Sequence, residues 1–128
     1  MGQRIGQTVY VGRSESQDYD FVASWLVGDE QHLAPVQLKE AVPVELNSKA
    51  SLQAIVDALP NKYVDSDDVT VAIHLNQQMR FEPSAIQVPA LRVAALWVFG
   101  SISPDQSKWG LWGNFLEAPY GTSYAYPV

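Results

Sequence analysis

Residues 48–76 read SKASLQAIVDALPNKYVDSDDVTVAIHLN, and two hydrophobic periods meet there. Leu52, Ile55, Val56 and Leu59 recur at i, i+3, i+4 and i+7, with Lys49, Gln53 and Asp57 on the other side. That is an amphipathic helix with one buried stripe. Ser48 stands where a side chain can accept a free backbone N–H. Pro60 opposes continuation, because it has no N–H and crowds the preceding turn. The helix is therefore expected over 49–59. After the acidic turn Asp65-Ser66-Asp67-Asp68 the period drops to two. Val69, Val71, Ile73 and Leu75 alternate with Thr70, Ala72, His74 and Asn76, the pattern of a strand with one apolar face.

Downstream, Leu91, Val93, Ala95, Trp97 and Phe99 alternate, and the intervening positions are apolar too apart from Arg92. Such a strand is expected at the centre of a sheet, covered on both faces. Glu82 to Gln87 suits one helical turn with a proline near its start. Lys108 to Leu116 reads as a last strand, and 118–128, with Pro119, Gly121 and Pro127, as an irregular tail. Upstream, 4–12 reads as an opening strand. Residues 19–28 fit both a helix and a strand, with aromatic enrichment and short length favouring strand. Residues 36–46 sit among Pro35 and Pro43, which cannot donate to a ladder, so an edge strand is the most they allow. These elements predict one α+β domain over 1–128. Its sheet is expected to be mostly antiparallel with about 4–6 strands, the main helix packed on one face and the aromatic-rich segment at the C-terminal end.

The 128 residues are 47% hydrophobic and 17% charged, with net charge −6 from 14 acids and 8 bases. The bases are spread evenly, so no patch overrides the repulsion of nucleic acid. With no cysteine, thiol catalysis and thiolate metal sites are excluded. The N-terminus carries no signal-peptide pattern, and the longest apolar run, Val93 to Gly100, is too short to span a bilayer. A soluble, cytoplasmic protein with no cofactor and no membrane partner is the expectation.

No stretch matches a nucleophile elbow or a phosphate loop. His74 sits opposite the apolar side of its strand. It either projects into a pocket as a proton-transfer group or rests on a solvated face. His32 falls beside Asp29 and Glu30, which do not set a metal geometry, so no metal site is expected. Asp65, Asp67 and Asp68 lack the glycine and distal glutamate of a calcium loop. Arg80 and Arg92 are the bases nearest the core elements, and either suits a carboxylate ligand or an ordinary ion pair.

Three of the four tryptophans lie from Trp97 onward. Ordering 109–128 costs on the order of 30 kcal/mol at about 1.5 per residue. Its aromatic rings, burying about 200 Å² each, return a similar sum at about 25 cal/mol per Å². These rings therefore need nearly full burial, in their own domain or against a second surface. The first expectation is a non-enzymatic binding domain that self-associates through Trp109, Trp112, Phe115, Tyr120 and Tyr124. The second is a small-molecule site, binding or catalytic, lined by Trp97, Trp109 and His74, with Arg92 orienting an anion. The third is an acidic, inhibitor-like protein that covers a basic partner with Asp65, Asp67 and Asp68.

Overall fold

The alternating strand at Val69–Leu75 lies at the centre of a seven-stranded mixed sheet that curves into a half-barrel. The structure, a computed structural model, describes residues 8–13, 19–41, 51–76 and 81–125. The strands are β1 (Tyr10–Arg13), β2 (Phe21–Val27), β3 (Glu30–Ala41), β4 (Ser66–Leu75), β5 (Val93–Ser101), β6 (Lys108–Gly113) and β7 (Tyr120–Ala125). They lie side by side in chain order. The helix α1 (Leu52–Lys62) falls between β3 and β4, and a short 3₁₀ turn, Pro83–Ala85, falls between β4 and β5.

Connection length sets strand direction here. Gly28 and Asp29 join β2 to β3, with Val27 opposite Glu30. Gly28 has φ +60°, as the first position of a tight two-residue hairpin requires. The β5–β6 and β6–β7 connections are also short, and all of these pairs are antiparallel. The β3–β4 and β4–β5 connections are long enough to cross back over the sheet, and both pairs are parallel. This corrects the expected sheet of 4–6 mostly antiparallel strands: among the described residues there are seven, in a mixed sheet. The period-2 signal marks a strand without its direction, which the crossovers decide.

Two local expectations change with it. The strand around 36–46 is no edge: β3 begins at Glu30 and lies between β2 and β4. Pro35 faces Val22 of β2, one residue before the β4 register begins at Val36 opposite Thr70, so its missing donor falls outside that ladder. The expected irregular tail instead forms β7 over Tyr120–Ala125, paired along β6. Pro119 precedes this strand. Gly121 lies inside it, where a Cβ would come within 2.7 Å of the Trp112 ring.

Helix α1 is capped by Ser51, whose Oγ accepts from the Ala54 N–H at 3.0 Å. Ser48, the expected cap, lies outside the described residues, as do Arg80 and Tyr126. Pro60 is accommodated in the last turn, and the helix runs on to Lys62. Its stripe of Leu52, Val56 and Leu59 packs on Val71 and Ile73 of β4 and Leu96 and Val98 of β5. All of these are at most 2% exposed. Each such side chain contributes roughly 1.5–3 kcal/mol on burial.

Candidate functional site

Register separates the two faces of the sheet. Val71, Ile73, Leu96 and Val98 point toward α1. The residues between them therefore point to the opposite face. Ala72 lies between Leu38 of β3 and Trp97 of β5, and His74 between Glu40 and Phe99. Phe99 in turn faces Leu111 of β6, and Trp109, two residues earlier on that strand, faces Tyr124 of β7. The face turned away from α1 is consequently paved with rings.

His74 is the centre of the paving. Its ring stacks on Phe99 with centroids 5.1 Å apart and planes 13° apart, and meets Trp109 at 5.7 Å and 30°. Phe99 and Trp109 lie 6.5 Å apart, so the three rings touch pairwise. Nδ1 of His74 is 3.8 Å from Oε1 of Glu40, an oxygen that also accepts from Nδ2 of Asn76 at 2.7 Å. Trp109 is held from the other side, its Nε1 donating to the Gln106 carbonyl at 2.9 Å. That carbonyl belongs to a tight β5–β6 loop. There Oδ1 of Asp105 accepts from the hydroxyls of Ser103 and Ser107 and from the Ser107 N–H. These bonds, from Ser107 first, hold the Asp105 carboxyl below its ordinary pKa.

Trp97, further down the face, lies against bare backbone. A Cβ on Gly113 would meet its ring at 2.6 Å, and Gly113 has φ +151°. Across β3 a second ring pair forms, Trp25 on His32 at 5.6 Å and 12°. Beneath it Ala23, Ala34 and Val36 are buried, and Ala72 joins them to the central strands. The whole face offers flat apolar stacking surface with two histidine–carboxylate pairs, His74 with Glu40 and His32 with Glu30 at 3.9 Å. It can hold a flat or apolar partner and orient one polar group. No hydroxyl or amine nucleophile lies in hydrogen-bond contact with His74 among the described residues.

The expected site residues separate into three places. His74, Trp97 and Trp109 share the open face. Arg92 precedes β5 at the other end of β4, about 20 Å away at the usual rise per residue. Its Nη2 lies 2.9 Å from both Asp65 Oδ1 and Asp67 Oδ2, and those carboxylates, Asp67 first, raise its pKa. Of the expected interface residues, Phe115 is in the α1 core, and Trp112 packs against that core with Phe81 edge-on at 4.8 Å. Trp109 and Tyr124 lie on the open face, and Tyr120 is 62% exposed.

Sequence reasoning missed Glu40 and Phe99 as neighbours of His74. Their meeting depends on parallel register across two crossovers, which no local pattern encodes. It also read His32 only beside Asp29 and Glu30, whereas it is a β3 residue opposite Trp25. Among the described residues no group of three or more His, Asp or Glu is arranged to hold a metal ion, and no helix is long and apolar enough to cross a membrane. Comparison with protein-family models, with curated proteins and with solved structures yields no match.

Proposed function

We propose that this chain is a non-catalytic binding domain that works as a homo-oligomer, joined through β7 and the ring-paved face beside it. The observation that carries this reading is the character of β7. Among the described residues it is the last strand of the sheet, and its sequence, Tyr120-Gly121-Thr122-Ser123-Tyr124-Ala125, has no charge and no proline. Edge strands that must stay single are usually blunted by lysine, proline or a bulge. An unblunted edge is a template for a second strand, and pairing two β7 edges would make the two ring faces continuous. The low charge of the chain, 17%, favours the same outcome. Cytoplasmic location belongs to the same proposal, since nothing in the composition asks for an oxidising compartment.

Light scattering on the full chain tests it. The expected result is an oligomer at about 100 μM that falls to monomer when Ser123 is changed to Lys. Ser123 is exposed, so the substitution leaves the fold in place. A wild-type chain that stays monomeric overturns the reading.

A second reading has its own support. The His74, Phe99 and Trp109 rings, with Glu40 beside the imidazole, suit a flat small molecule stacked on the open face. A ligand whose thermal shift disappears in His74→Ala would favour it. Cover of a basic partner by Asp65, Asp67 and Asp68 has little support, because Arg92 occupies the first two.

A further inference from the structure

At the C-terminal end of α1, away from the ring-paved face, two ammonium groups share one aromatic ring. The Nζ atoms of Lys39, from β3, and Lys62, from the last turn of α1, each lie 5.8 Å from the centroid of Tyr63. Tyr63 is buried and closes the helix, its N–H donating to the Leu59 carbonyl at 2.8 Å.

The helix end accounts for one of the two cations. Free carbonyls at a helix C-terminus favour a positive side chain, and Lys62 supplies it. Lys39 is brought by a different element, half-buried on the side of β3 where its partner is the core residue Ile73. Among the described residues neither ammonium has a carboxylate within ion-pair distance. The charged groups that bear on Lys39 are Lys62 and Asp20. Asp20 is already engaged, its Oδ2 accepting from Nε2 of Gln37 and from the Leu38 N–H, both at 2.8 Å. Burial first, and then Lys62, hold the Lys39 amine down to about 8. Two cations converging on one ring, with no carboxylate in ion-pair contact among the described residues and only the attraction of Asp20 on Lys39, leave room for a further negative group to relieve their repulsion.

We propose that Lys39 and Lys62 form a binding site for an oxyanion, the carboxylate or phosphate group of a small molecule, above the Tyr63 ring. The site is on the α1 side of the sheet and is independent of the oligomer reading.

Thermal unfolding of the full chain at pH 7 tests this, in phosphate, in acetate and in chloride at one ionic strength. The midpoint is expected to rise in phosphate, in acetate or in both relative to chloride. Lys39→Gln and Lys62→Gln are each expected to remove most of that rise, whereas Lys108→Gln on β6 leaves it in place. A response to phosphate alone identifies a phosphate ligand, and a response to acetate alone a carboxylate. No anion-specific rise, or a rise that survives Lys39→Gln, overturns the proposal. Nuclear magnetic resonance of the lysine side chains supplies a second measurement on the unaltered protein. The Lys39 midpoint is expected to move up from about 8 as the effective anion is added. A midpoint that stays fixed overturns the proposal.

Discussion

The two faces of the sheet are built from the same strands and differ in what covers them. On one face Leu52, Val56 and Leu59 of α1 seal aliphatic side chains of β4 and β5 almost completely from water. On the other, rings cover each other: His74, Phe99 and Trp109 are all only partly buried. Aliphatic side chains gain from burial in any orientation, so they need a lid. Flat rings gain from stacking as well, and can hold a surface together while remaining accessible. The helix face is therefore the stability of the domain, and the ring face is where contact with something else remains available.

The sharpest test of that contrast is a pair of truncations. Leu96→Ala leaves a cavity under α1 and should cost about 3 kcal/mol. Trp109→Ala removes a larger side chain from the ring face, yet should cost less, about 1–2 kcal/mol, because the space refills with water. Urea unfolding of both variants decides. A larger loss for Trp109→Ala would mean that the ring face is core.

Gly113→Ala probes how tightly the ring face is fitted. The new methyl would stand 2.6 Å from the Trp97 ring and 3.0 Å from the Leu96 carbonyl, at φ +151°. Strain at such a backbone position adds to the clash, for a loss of about 2 kcal/mol. A variant as stable as the parent would show that Trp97 is free to swing away.

Lys39 gives the covered side a pH signature. Its folded pKa, about 8, lies below the ordinary lysine value of 10.5. Between these values the unfolded chain binds the extra proton, so this group makes stability rise with pH from about 8 to 10.5. Its penalty is fully present below about 8. Because Lys39 is only half-buried, that penalty is discounted for solvent screening to about 1 kcal/mol. Lys39→Gln should therefore stabilise the protein at pH 7 and lose that advantage at pH 10.5. Urea midpoints of both proteins at the two pH values check it, and an advantage of equal size at both removes Lys39 as the cause.

What could be read in advance follows from the range of each interaction. The α1 stripe and the alternation of β4 are local, and both stand in the structure near the expected positions. Position opposite Val71 and Ile73 was enough to put His74 on the face away from the helix. Phe99 and Glu40 reach His74 only through β4–β5 and β3–β4 register, which is set after two crossovers and leaves no trace in composition. Prolines misled in both directions. Pro35 suggested an edge where the ladder begins one residue later, and Pro119 suggested a loose tail where a strand begins at the next residue. Arg92 was grouped with His74 because both belong to core elements, and strand length put them at opposite ends.

The smallest effect is expected at Tyr124, and its sign matters more than its size. Tyr124 faces Trp109 from the edge strand β7, at the border between the ring face and solvent. Its hydroxyl is buried and has no hydrogen-bond partner among the described residues. A buried donor without a partner forfeits its bond to water, and removing it relieves that penalty. Tyr124→Phe should leave the monomer unchanged or raise its stability by up to about 1 kcal/mol. Measured at low concentration by urea unfolding, a clear loss would mean that the hydroxyl is bonded in solution. Measured again at concentrations where the chain assembles, the same substitution separates the two uses of this border. If the hydroxyl gains a partner across a β7–β7 junction, the stabilised monomer becomes a weakened oligomer.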